Sequence, residues 1–196
     1  MFGTKYRGSY PAYSDSMNPF SASRDDTSSE LFDEDSTFVP AHIPTPGPTL
    51  EGHDLLEDDD HVRFHEVTRE LFEERGVYDV TFGYNLTKLN LDRRHPEAGY
   101  RYAIDRDDLS ILWAEFTPTT PFCPQAGILT KGSFRAWNGL SDRHSYTEVR
   151  VRVHPMHHQS MTVNAELEAL EGSGSESESG SGSESGLEQL SEDPPF

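Results

Sequence analysis

The chain has 196 residues, 35 of them acidic against 16 basic, a formal net charge of −19 and a mean hydropathy of −0.71. So acidic a chain is repelled by nucleic-acid phosphates and by anionic membrane surfaces, and with 33% hydrophobic residues it is too polar to pack a core along its whole length. No apolar run approaches the ~20 residues that cross a bilayer, the N-terminal stretch lacks a signal-like apolar region, and a lone cysteine, Cys123, permits no intrachain disulfide; a cytoplasmic location is expected.

The acidity is uneven. Residues 1–60 carry a net −10, residues 61–171 only −3, and residues 172–196 −6. The first region is Ser/Asp-rich and contains Ile43-Pro44-Thr45-Pro46-Gly47-Pro48, in which alternating prolines oppose helix and sheet. The last contains a Gly/Ser/Glu run with no apolar side chain. Both are expected to be disordered acidic tails around an α+β domain at 61–171, with apolar islands such as Leu31-Phe32 and Phe38-Val39 as docking motifs. Three lysines against 13 arginines in so acidic a chain resemble the composition of a haloarchaeal, salt-in protein.

Within 61–171, Asp58-Asp59-Asp60 precede Phe64, Val67 and Leu71 at helical spacing, and Gly76 supplies a stop. Val80, Phe82, Tyr84 and Leu86 alternate between Val77 and Leu91, which predicts one strand or a bent pair. His95 to Gly99 reads as a turn, and Tyr100–Ile104 with Leu109–Phe116 as an antiparallel hairpin whose second strand is apolar enough to be central. Pro124 suits the first position of a helix whose Ala126, Leu129, Ala136 and Trp137 face the sheet. Val149, Val151 and Val153 alternate with Glu148, Arg150 and Arg152, the pattern of a strand with one wet face. A last helix is expected from Ser160 to Glu171, burying Val163, Leu167 and Leu170. The expected architecture is a small two-layer domain, a mixed sheet of three to five strands with helices packed on one face.

Cys123 lies at the join of the buried strand and a helix start, where the helix dipole favours a thiolate; free cysteine is also often simply a small buried hydrophobe. His154-Pro155-Met156-His157-His158 follows the next strand, with His144 nearby in sequence. Imidazoles are metal ligands, so a Cys/His site forms if the fold sets this loop beside Cys123. Exposed loop histidines are the simpler alternative.

A strand ending in Thr119-Thr120-Pro121-Phe122-Cys123-Pro124, followed by a helix, a second strand and a helix, resembles the metal-sulfur cluster assembly factor family, which includes SufT and PaaD-like proteins and the eukaryotic cytosolic iron-sulfur assembly component. The likeness spans roughly Tyr100 to Leu170, and Val151 to Pro155 with Val163-Asn164 is similar to the eukaryotic branch. It implies that Cys123 is the residue tied to activity, with Thr119, Thr120, Pro121 and Pro124 as motif support. It also implies a transient iron-sulfur cluster or iron as cofactor, and assembly proteins and client apoproteins as partners. The family's Asp-Pro-Glu is matched only by His95-Pro96-Glu97, so no role is carried to that acidic position. One thiolate cannot hold a cluster alone. Binding needs a homodimer sharing Cys123, help from His154, His157 or His158, or ligands from a partner. The leading expectation is a non-enzymatic maturation adaptor. The alternatives are a structural adaptor working through its acidic tails and an enzyme with Cys123 as nucleophile and His154 or His157 as base.

Overall fold

The structure, a computed structural model describing residues 31–174, builds its sheet around the most apolar stretch of the sequence. In chain order the elements are β1 (Asp54–Leu55), α1 (Asp58–Arg75), β2 (Tyr78–Asp79), β3 (Tyr84–Asn85), β4 (Gly99–Ile104), β5 (Ile111–Thr117), α2 (Ala126–Asn138), β6 (Glu148–Val153) and α3 (Ser160–Gly174). The main sheet has the order β1-β4-β5-β6, with β5 and β6 parallel and the other pairs antiparallel. The hairpin reading holds: β4 and β5 pair from Gly99↔Thr117 to Ile104↔Leu112, and β5 is central. Parallel neighbours require a long crossover, and α2 supplies it. Four strands with helices on one face fulfil the α+β two-layer expectation.

That face is a single core. Tyr100 and Tyr102 of β4, Leu112, Ala114 and Phe116 of β5, and Val149, Val151 and Val153 of β6 are buried against Phe64, Leu71 and Phe72 of α1, Leu129 and Trp137 of α2, and Val163 and Leu167 of α3. Trp137 sits among the rings of Phe72 and Tyr100, and its indole N–H donates to the Thr68 hydroxyl at 3.1 Å. Helix α1 stops as predicted. Gly76 takes φ 68°, and the N–H groups of Gly76 and Val77 return to the carbonyls of Glu73 and Phe72, satisfying two otherwise orphaned acceptors.

Three expectations need correction. Residues 77–91 are not strand along their length: a pair is present only as the two-residue strands β2 and β3, and Leu86–Leu91 is a 3-10 helix. The Asp79 carboxylate accepts from the N–H groups of Thr81 and Phe82, and Gly83 at φ 71° completes the reversal, so Val80 ends 78% exposed while Leu86 is buried.

Second, the boundary at residue 60 is too late. Residues 31–57 are folded, with Ile43, Leu50 and Leu56 buried. The Pro-rich segment lies across the other face of the sheet as a strap, where the buried Glu115 carboxylate accepts the N–H of Gly47 at 2.7 Å and of Thr49 at 3.3 Å. Prolines forbid a ladder but not an extended chain laid on a sheet, and one carboxylate then gathers the remaining donors. A Cβ on Gly47 would overlap that carboxylate and the His154 ring. Gly47→Ala is therefore expected to destabilise the protein by about 1–3 kcal/mol in urea unfolding; an unchanged midpoint would show that the strap is not packed.

Third, the outer face of β6 is wet only in part. Glu148 and Arg150 keep 30% and 32% of their side chains exposed, but Arg152 is 8% exposed and pairs with Glu171, and the guanidinium groups of Arg150 and Arg152 both lie over the Trp113 ring. Helix α3 also runs three residues beyond its expected end, to Gly174. What remains of the two tail expectations, residues 1–30 and 175–196, lies outside the described residues. Among those described, no helix is long and apolar enough to cross a membrane.

Candidate functional site at the Cys123 and histidine loops

Parallel pairing of β5 and β6 puts their C-terminal ends side by side, so the loops that follow them must meet. After β5 the chain makes two successive turns, Cys123 N–H to the Thr120 carbonyl at 3.3 Å and Ala126 N–H to the Cys123 carbonyl at 3.4 Å. Helix α2 begins at Ala126. Pro124 thus lies in the second turn and not at the first helical position, and Cys123 precedes the helix by three residues. The thiol residue is half-buried and free, packed against the edge of the core.

After β6, the His154 N–H continues the ladder to the Phe116 carbonyl at 2.9 Å, and the chain turns through Met156 into α3. The two loops are stapled together. The His158 N–H and its Nδ1 both address the Pro121 carbonyl, at 3.0 and 2.8 Å, and His157 Nε2 lies 3.0 Å from the Cys123 carbonyl. A carbonyl only accepts, so both ring nitrogens are donors and His157 Nδ1 is left to accept the Gln159 N–H at 3.4 Å. His157 is a buried latch between the loops. His154 accepts the Met156 N–H on Nδ1 and turns its other edge toward Gly47 and Glu115.

The fold therefore brings the histidine loop beside Cys123, but the rings of His157 and His158 face carbonyls and not the thiol. His158 is exposed, and its Nε2 makes no hydrogen bond among the described residues; neither His154 nor His157 stands as a base to the cysteine. Thr119, Thr120, Pro121 and Pro124 form the loop's frame, in which the Thr120 carbonyl accepts from Cys123 within the loop and the Pro121 carbonyl accepts from His158 of the other loop. His144 is elsewhere. It precedes β6, at the opposite end of the strands, with Nε2 3.1 Å from the Trp137 carbonyl. The His95 ring packs tilted against Phe82, and Glu97 accepts the Thr45 N–H, so the His-Pro-Glu turn anchors the strap. Among the described residues no three His, Cys, Asp or Glu side chains converge as a metal-binding group.

Sequence reasoning missed the exposed apolar side chains of this end of the fold. Phe122, Ile128 and Met161 are 72%, 76% and 87% exposed at the starts of α2 and α3, and the Phe122 ring lies 5.1 Å from that of His158. It also missed two histidines on the buried side of α1. His65 lies with Nε2 3.0 Å from the Thr87 carbonyl and Nδ1 2.9 Å from the Tyr102 hydroxyl, and His61 stacks on it at 5.5 Å. Burial pushes His65 down to about 4, and burial with the neighbouring His65 and Arg101 pushes His61 down to about 2.

The molecule is thus an α+β domain that presents one cysteine at the C-terminal end of a parallel strand pair. Residues 30–181 match the model of the family described as "Domain of unknown function (DUF7998)", and the chain belongs to that family. No curated protein and no solved structure matches it.

Proposed function

We propose that the protein is a non-enzymatic iron-sulfur cluster assembly or transfer factor of the cytoplasm, with Cys123 as its ligand. The observation that carries the reading is the setting of Cys123. It is half-exposed in a turn held by His157 and His158, next to the solvent-facing Phe122. The order of helix, hairpin, helix, parallel strand and helix agrees with the resemblance of the Thr119 to Pro124 motif.

One thiolate, even with the exposed His158 imidazole in the neighbouring loop, holds a cluster incompletely. That suits hand-over. A client thiolate replaces the Cys123 thiolate on iron, a ligand exchange in which no electrons move. The missing ligands come from the partner or from a second copy, and Phe122, Ile128 and Met161 form the contact around the exchange point.

Cys123→Ala is expected to keep the wild-type unfolding midpoint within about 1 kcal/mol, while abolishing the iron- and sulfide-dependent absorption after anaerobic reconstitution and the maturation of client enzymes. Normal client activity in cells carrying only the variant overturns the proposal.

A further inference from the structure

Arg101 of β4 is buried almost completely, its side chain 5% exposed, under the strap. Two of its three nitrogens, Nε and Nη1, have no hydrogen-bond partner among the described residues. Its nearest acid, Glu57, stands at 3.8 Å, beyond hydrogen-bond reach, with a side chain 63% exposed. The Phe38 ring, 5.5 Å from the guanidinium carbon, offers it only a π face. A buried charge so poorly paired is costly unless something else completes it.

Beside it the strap leaves a cavity of about 310 Å³, at the lower end of the ~300–1,000 Å³ range of small-molecule sites. Its wall is apolar, from Phe38, Ile43, Pro44 and Leu55, with Glu57 and Arg101 as its charged groups. The strap brings few donors. Prolines 40, 44 and 46 have no N–H, and that of Thr45 is committed to Glu97. A cation in an apolar slot selects an anionic head on a short apolar body.

We propose that this cavity binds a small molecule with a carboxylate head and a short hydrocarbon body, the head displacing Glu57 to pair with Arg101 and the body lying against Phe38, Ile43 and Leu55. The site is separate from the Cys123 loops and does not depend on their function. Burial holds the Arg101 guanidinium below its usual basicity despite Glu57, as expected of a cation awaiting a closer anion.

The test is calorimetric titration and thermal unfolding of the full chain with hexanoate, and with acetate and inorganic phosphate as heads without a body. Saturable hexanoate binding that raises the midpoint is expected, with acetate and phosphate at least about tenfold weaker. Arg101→Met should weaken hexanoate about 10- to 100-fold, and Glu57→Gln, on an exposed side chain, should tighten it. The absence of saturable hexanoate binding to the wild type overturns the proposal. So does equal binding of acetate, or a Glu57→Gln variant that binds no better; the last two comparisons stand even if Arg101→Met fails to fold.

Discussion

Below pH 6.5 the folded protein is expected to lose roughly 1.4 kcal/mol of stability per pH unit for each of His61 and His65. Both are held neutral by burial, with folded values of about 2 and about 4 against 6.5 unfolded. The unfolded chain therefore gains protons first as the pH falls, and stability falls with it. For His65 the loss runs from 6.5 to about 4, and for His61 it continues toward 2. By pH 4 the pair is expected to remove about 5–7 kcal/mol, comparable to the ~5–15 kcal/mol that holds a typical domain together.

The chemistry explains why no relief is at hand. His65 must donate from Nε2 to the Thr87 carbonyl, so Nδ1 accepts from the Tyr102 hydroxyl and has no room for a proton of its own. His61 lies among Phe38, His65 and Tyr102, near Arg101, with no hydrogen-bond partner on Nδ1. Carboxylates act in a different window. Asp92, Asp105 and Asp108 lie below the usual 3.8, so the stability they give is present above that value and is lost only as the pH falls beneath it. Urea unfolding at pH 7, 6 and 5 should give a falling free energy. His61→Phe should reduce the slope by about half. A wild-type stability flat between pH 6.5 and 5 would contradict this account.

Replacing Asn138 or Asn164 by Ala is expected to destabilise the domain by about 2–4 kcal/mol each. β6 is an edge strand, and its outward groups are met by side-chain amides. Asn138 accepts the Val149 N–H and donates to the Val149 carbonyl, both at 2.9 Å, while Asn164 does the same for Val153 at 2.7 and 3.1 Å. Between them Arg152 Nη1 donates to the Val151 carbonyl. Asn90 pairs in the same way with both backbone groups of Tyr100 at 2.7 Å, beyond the end of β1. A primary amide carries one acceptor and one donor side by side, so each asparagine acts as one residue of a neighbouring strand and closes the edge to other chains. Truncation leaves a donor and an acceptor unpaired and opens the edge. Denaturant unfolding and light scattering read both effects. A loss below about 0.5 kcal/mol with no increase in self-association would refute the role. Aspartate at either position should recover only the acceptor half.

The helices and main strands were legible because each has a strong local signal. The alternation of Val149, Val151 and Val153, the α2 positions Ala126, Leu129, Ala136 and Trp137, and the Gly76 stop all express periodicity within one element. The hairpin of β4 and β5 was legible too, since its turn is written in Asp105-Arg106-Asp107-Asp108. The reversal at Asp79 to Gly83 was not, because Val80, Phe82 and Tyr84 keep a strand-like alternation while an aspartate bonds its own backbone.

Of the candidate site, the sequence located Cys123 and the histidine run and left open whether they meet. Neighbouring parallel strands decide that. Which way each imidazole points is set by carbonyls 34 and 37 residues away in the chain, and no local pattern encodes it. The same holds for Arg101, which has no sequence signature until the strap covers it.

By itself, then, the sequence determined the three main helices, the strands β4, β5 and β6 with their order, the central strand and the unequal spread of charge, which follow from side-chain periodicity, short-range turn chemistry and composition. Only the tertiary structure decided that an acidic, proline-rich stretch becomes a strap on the sheet. Its few apolar residues and backbone donors find partners in Glu115 and its neighbours nearly seventy residues away. Composition measures what a segment can bury alone, and the strap buries nothing alone; its stability is a property of the surface it covers.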